Sequence, residues 1–572
     1  MTPASSTGGK AVEDVDWVVI GSGFGGSVSA LRLAEKGHSV LVLEQGSDRP
    51  DHRMPRSTFD LRRYFYAPKA GLRGIFRITP FKDVLVVSGA GVGGGSLGYA
   101  MTLYVPPPAF FRDPQWGALR DWRAELEPHY ETAQRMLGVT DVVADDLADR
   151  LLLEYAQEIG VEDTYRKARV GTYLDTPGET VDDPYFGGEG PTRTGCIACG
   201  RCMVGCPVGA KNSLPKNYLW FARRRGARIA ADRQVVALRP IGGEAAAGSE
   251  GWEVVHERTG AWLRKDRRTV RARGVVVAGG ALGTNRLLAQ ARSDGDLPAL
   301  SPRLGELVRT NSEAVLAVTL PADAATRLQS RVAITSSIYP DPHTHIETVV
   351  YGKEGGAMRG MFTLLTGDGS RVTRPLKLLG QLVRHPGRVV ELSFKRGWAS
   401  RTIVVLVMQS LDNAINLRAT RGRSGRVRLR TEQDPLKPNP SFIPVANDVT
   451  EWMAQRTGGV ASSSILEAAL AIPTTAHILG GAAIGATPDD GVVDADQHVF
   501  GYANLLVCDG SAVPANVGVN PSLTITAMTE RAMAAIPAKE GAPVVEPIGT
   551  RPIAGATATA VPERVPDWSA PA

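Results

Sequence analysis

Apolar strands that run into glycine turns predict an α/β fold for this 572-residue chain. Residues 17–20, WVVI, lead into GSGFGG (Gly21 to Gly26), and the helix-period stretch SVSALRLAEKG follows. A second apolar strand, SVLVLEQG, then carries Glu44 near its end. The segment GVVVAGGALGTNRLL (274–288) repeats the strand-and-turn pattern, and NLLVCDG (504–510) adds a further apolar strand. Strand, glycine turn, helix and strand in that order form a Rossmann-like unit.

Each residue of the first turn has a physical reason. Gly21 makes the tight turn, Gly23 lets the backbone approach a pyrophosphate, and Gly26 lets helix pack on strand. Phe24 and Gly25 complete the contact set, and the helix N-terminus presents unpaired N–H groups to the phosphates. Glu44, 23 residues past Gly21, is placed to accept the ribose hydroxyls. Glycines used for packing alone would not require Glu44, so the unit reads as a site for NAD or FAD.

Composition narrows the class. Hydrophobic residues make up 43% and charged residues 22%, a globular balance. A net charge of +6 with only 6% aromatics argues against nucleic-acid binding. The N-terminal stretch MTPASSTGGKAVEDVD has no apolar core of a signal peptide, and no apolar run reaches membrane-spanning length. A cytoplasmic protein is expected, open to peripheral contact with a membrane. Residues 1–13 and the Pro-, Ala- and Thr-rich tail 540–572 are expected to be disordered.

Cys196, Cys199, Cys202 and Cys206, with Pro207 after the last, have the spacing C-x2-C-x2-C-x3-C-P. That run holds iron–sulfur clusters in ferredoxins, so a 3Fe-4S or 4Fe-4S cluster is expected on these thiolates. Zinc and unligated thiols are the other readings. Cys508, in LLVCDG, reads as a small buried apolar residue. His343, His345 and Glu347 (HTHIE) alternate along a strand, but no further ligand stands nearby and no metal is assigned there.

A second glycine-rich loop, SGAGVGGGSLGYAMTLY, packs five glycines between Gly89 and Gly95. With GGALGTNRLL, with TAHILGG around His477, and with Asp509-Gly510 and Asn520-Pro521, it resembles the glucose–methanol–choline (GMC) oxidoreductase family. Within that family it closely resembles the actinobacterial cholesterol-oxidase-like subfamily that carries a cysteine run ahead of GAKN, here Gly209 to Asn212. The resemblance implies FAD, with Gly91, Gly94, Gly95, Ser96, Val236, Asp509, Gly510, Asn520 and Pro521 joining the first turn at the cofactor. It implies a catalytic pair, His477 and Asn520. It also implies an FAD domain from residues 14–110, 190–320 and 470–537, with the cysteine run at its border. A substrate domain with a mostly antiparallel sheet would follow from 111–189 and 321–469.

Two departures bear on the chemistry. Where cholesterol oxidases read SLVNGG this chain reads SLGYAM, placing Tyr99 beside the flavin. The glutamate that moves the sterol double bond has no evident counterpart. Alignment sets Arg396 near it, and Glu313 and Glu347 are substitutes by chemistry alone. The insertion 371–401 holds eight Lys or Arg and one acid, and RPLKLLGQLVRHP reads as a basic amphipathic helix, either a solvated lid or a lipid-docking element. The expected function is FAD-dependent oxidation of a secondary alcohol on a sterol-like molecule, with electrons leaving through the cluster to an external carrier. A double-bond isomerase or reductase and a non-catalytic electron relay are the alternatives.

Overall fold

The structure is a computed structural model that describes residues 12–322, 328, 332–394 and 396–553. Its first sheet has the order 228–230, 40–43, 13–20, 268–277, 252–258, 233–240. The first four strands run parallel and the last two antiparallel. Strand Arg268–Val277 forks: residues 268–272 pair with 252–256, while 275–277 pair with Leu505–Val507. The fork explains how the C-terminal segment joins a nucleotide sheet that began some 490 residues earlier. Val18, Val19, Val42 and Val275–Val277 are wholly buried, as expected of parallel strands covered on both faces.

Helix Phe24–Glu35 packs on this sheet and against the last helix, Ser522–Ala535. The two helices are joined by buried Arg32, which donates to both carboxylate oxygens of Glu530 (2.6 and 2.8 Å) and to Glu35 (2.7 Å). A Cβ on Gly25 would lie 1.6 Å from the carbonyl oxygen of Cys508, so this helix can seat only without a side chain there. The thiol of Cys508 is fully buried.

The second sheet is antiparallel throughout, in the order 362–364, 460–464, 314–319, 402–409, 344–349, 334–341, 166–167. Period-2 alternation divides its faces. Leu316, Val318, Val405 and Val407 pack with Val449 and Met453 of helix Pro444–Thr457. Val315, Val404 and Leu406 point the other way, into a large cavity. The sheet therefore roofs the cavity, and the glycine turns of the first sheet form its floor.

Two expectations about the ends change. Strand Glu13–Ile20 begins inside the segment expected to be disordered. Residues 540–553 are seated: Ile548 N–H donates to Glu35 (3.0 Å), its carbonyl accepts from Arg32 (3.0 Å), and Gly549 O accepts from Arg135 (2.7 Å). Residues 1–11 and 554–572 lie outside the described residues.

Candidate active site

The cavity has a volume of about 1480 Å³, more than a typical small-ligand pocket and suited to an extended dinucleotide plus a second molecule. At one end stands the first glycine turn. Gly21 has φ +104° and would meet the Ala278 carbonyl with any Cβ, whereas a Cβ on Gly23 would have nothing within 4 Å. Gly23 is thus bare toward the cavity and not toward protein, the cradle a pyrophosphate needs. Gly26 abuts the Gly21 carbonyl and lies beneath the turn, outside the cavity lining.

Glu44 lines the cavity but is already engaged. Its carboxylate accepts from Ser22 N–H (3.0 Å), Ser22 Oγ (2.7 Å) and Gly46 N–H (2.8 Å). Burial pushes its carboxyl above the usual range. Asp509 acts similarly at the second turn, accepting from Gly280 N–H (2.8 Å) and Thr284 Oγ1 (2.5 Å), which locks helix Gly280–Asp294 to the last strand. Val236 sits where the ladder of strand Arg233–Pro240 slips between Val235 and Ala237, and it lines the cavity.

Gly94, Gly95, Phe24, Gly25, Gly510, Asn520 and Pro521 also reach the cavity; Gly91 and Ser96 do not. Gly91 takes φ +125° to turn the loop, and Ser96 spends its hydroxyl on Gly93 O (2.7 Å) and Leu214 N–H (3.0 Å). Both shape the loop from behind. Tyr99 lines the cavity, but its hydroxyl donates to Asn212 O (3.0 Å) and its ring stands edge-on to Phe24.

The cysteine run folds beside this loop. Buried Lys211 ties them together, donating to Leu97 O (2.9 Å), Tyr99 O (2.9 Å) and Cys202 O (3.0 Å). Met203 reaches the cavity, and none of the four cysteines lines it. Among the described residues no three Cys, His, Asp or Glu side chains converge as a metal-ligand set. Burial pushes the Cys196 thiol up to about 11, and the Cys199 and Cys202 thiols also rise. The expected cluster finds no support among the described residues. In HTHIE, His343 sits in an exposed turn before the strand, while buried His345 stacks on Tyr339 and stays neutral, lowered to about 3 by burial.

His477 and Asn520 both line the cavity, beneath the roof. Each has a buried carboxylate behind it. Glu313 faces His477 Nδ1, and its other oxygen accepts from Ala476 N–H (2.7 Å). A carboxylate at Nδ1 retains that nitrogen's proton and leaves Nε2 as the acceptor. Glu347 accepts from Asn520 Nδ2 (3.4 Å), leaving Asn520 Oδ1 and one amide hydrogen unspent among the described residues. Alternation along strand Thr344–Val349 explains the placement, because Glu347 shares a face with Val349, which lines the cavity. Burial, then the nearby Glu313, push the Glu347 carboxyl up to about 8. Arg396, set near this position by alignment, is exposed and away from the cavity.

With this geometry in view, the comparisons decide the family. Residues 406–529 match the GMC oxidoreductase model, and residues 16–343 match that of FAD dependent oxidoreductases. The chain is 48% identical over 536 residues to a cholesterol oxidase of Mycobacterium tuberculosis, covering 92% of both. The chain belongs to the GMC oxidoreductase family. A cholesterol oxidase of Acinetobacter baumannii is 43% identical over 533 residues, covering 92% of this chain and 95% of the relative. Among solved structures, pyridoxine 4-oxidase from Mesorbium loti superposes with a TM-score of 0.59 at 17% identity, over 91% of this chain and 98% of that one. This GMC protein is an FAD-dependent oxidoreductase acting on CH–OH groups. The bare Gly23, the dense glycine loop and the cavity's size fit that cofactor.

Glu313 is the site residue that motif reading undervalued. Replacing it with Gln keeps size and an acceptor for Ala476 N–H but removes the charge at Nδ1. We expect Glu313→Gln to lower kcat about 10- to 100-fold with little change in KM or flavin content, and Glu313→Asp to recover part of the loss. Steady-state kinetics on flavin-loaded protein check this.

Proposed function

We propose that this chain oxidises the 3β-hydroxyl of a sterol, or a similarly bulky apolar secondary alcohol, to the ketone. The observation that carries the reading is the 43–48% identity to cholesterol oxidases over 92% of the chain. The cavity's chemistry agrees: Val315, Val349, Phe362, Val404 and Leu406 give the roof an apolar face that ends at His477 and Asn520.

His477 Nε2 accepts the hydroxyl proton while Glu313 holds the ring from Nδ1. Asn520 positions the substrate oxygen with the amide groups that Glu347 leaves free. The roof holds the apolar skeleton and excludes water from the reacting carbon. The Gly21–Gly26 turn, the Gly89–Gly95 loop and the Asp509–Pro521 segment would hold FAD, which would supply the hydride acceptor when bound. The two electrons taken from the alcohol would then go on to an acceptor outside the chain. Incubating the loaded protein with a 3β-hydroxysterol and weighing the product tests the reading: loss of two hydrogens supports it, and unchanged sterol overturns it.

One observation favours a second reading. Glu347 carries its proton up to about pH 8, which suits proton transfer near neutrality, so a double-bond shift would follow oxidation with no further change in mass. Accumulation of the unshifted ketone by Glu347→Gln, with oxidation intact, distinguishes the two steps.

The same residue predicts a pH dependence of stability. A carboxyl held above its ordinary value of 4.5 contributes stability that is fully present below about pH 4.5 and lost as pH rises through about 8. We therefore expect Tm of the wild type to fall from pH 5 to pH 9 more steeply than Tm of Glu347→Gln. Thermal melts at those two values check it.

A further inference from the structure

The insertion carries an apolar face that nothing among the described residues covers. Helix Thr373–Arg384 is anchored from within: Leu378 is buried, and fully buried Arg374 pairs with Glu467 (3.1 Å) and donates to Ser441 O (2.7 Å). Turned away from that anchor, Val372, Leu376, Leu379 and Val383 are 72%, 65%, 58% and 72% exposed. At 100° per residue these four fall within an arc of roughly 60°. Val390, on the next helix Pro386–Phe394, is also half exposed. An ordinary solvated lid would show polar side chains on that arc.

The charge around the stripe is one-sided. Lys377, Arg384 and Arg388 are exposed and make no ion pair among the described residues, and no acid occurs from Gly369 to Val390. The nearest downstream acid, Glu391, is held by Arg401 (2.7 Å). This helix pair packs on segment Lys353–Met361 and strand Phe362–Leu364, whose Met358, Met361 and Phe362 line the cavity. Phe59, 65% exposed, borders the same segment at Gly356.

We propose that helix Thr373–Arg384 docks this enzyme on an anionic lipid bilayer, with Val372, Leu376, Leu379 and Val383 in the headgroup–acyl boundary and Lys377, Arg384 and Arg388 against lipid phosphates. Charge complementarity selects the occupant: a stripe of four aliphatic side chains flanked by exposed cations, none in an ion pair among the described residues and Lys377 bonded to the Asp368 carbonyl alone, matches an anionic interface. Contact is peripheral, since among the described residues no helix is long and apolar enough to cross a membrane. One packed layer separates the docked face from the cavity wall, so a lipid-soluble alcohol would have a short path to the site. The docking itself rests on the surface alone and not on the substrate reading.

Sedimentation of the full-length, flavin-loaded protein with vesicles tests it without any substrate. The probes are phosphatidylcholine alone and phosphatidylcholine mixed with phosphatidylglycerol. We expect binding to the mixed vesicles that weakens with salt, and a loss of about tenfold or more in Leu376→Ser/Leu379→Ser and in Lys377→Glu/Arg384→Glu. All four positions are exposed, so both variants should keep the wild-type Tm and activity on a detergent-dispersed alcohol. Absence of wild-type binding, or equal binding by the Leu376→Ser/Leu379→Ser variant, overturns the proposal. A dimer that this variant loses would assign the face to a second copy and overturn it as well.

Discussion

Replacing His477 with Ala is expected to lower kcat on a 3β-hydroxysterol about a thousandfold while flavin stays bound. The magnitude is that of losing a positioned general base. Flavin should remain because the glycine turns and the Asp509 lock are separate from the imidazole. The substitution strands Glu313, which is buried and faces His477 Nδ1, so some loss of Tm accompanies it. His477→Asn keeps a polar neighbour for that carboxylate and should be equally inactive with a smaller loss of Tm. Turnover measured beside flavin content separates the outcomes. Near-normal turnover in both variants would remove His477 from the chemistry and favour a protein that only relays electrons.

Gly23→Ala should remove the cofactor and spare the fold. Its Cβ meets no protein atom within 4 Å, and the backbone at Gly23, with φ −71°, tolerates any residue. The methyl would instead occupy the space next to the pyrophosphate. We expect FAD affinity to fall on the order of a hundredfold, with activity falling in step at limiting FAD, while the apoprotein's Tm is unchanged. Gly25→Ala is the counter-case, since its Cβ would collide with the Cys508 carbonyl at 1.6 Å and the helix could not seat. Flavin fluorescence titrations and melts of both apoproteins decide between cofactor contact and packing.

These two variants also show what could be read from the chain alone. Gly21, Gly23, Glu44 and the strands around them were legible because their reasons are local: a period change, a turn, an acid at a fixed distance. The carboxylates behind the catalytic pair were not. Glu313 reaches Ala476 across 163 residues and Glu347 reaches Asn520 across 173, through an antiparallel sheet whose register no local pattern encodes. Alternation within HTHIE put His345 and Glu347 on one face, but His343 fell in the turn. The cysteine spacing suggested thiolate ligands, and no metal-ligand set among the described residues supports that reading. The tail 540–553 has no period because Arg32, Glu35 and Arg135 hold its backbone, while isolated side chains, Ile548 and Ile553, pack on the core.

In the proposed reaction a sterol-like alcohol reduces the flavin through His477. Anaerobic titration of the flavin-loaded enzyme with a 3β-hydroxysterol, followed by flavin absorbance, tests it most directly. The wild type is expected to bleach fully within seconds and His477→Asn about a thousandfold more slowly. A flavin that stays oxidised in the wild type, or bleaches equally fast in the variant, would contradict it.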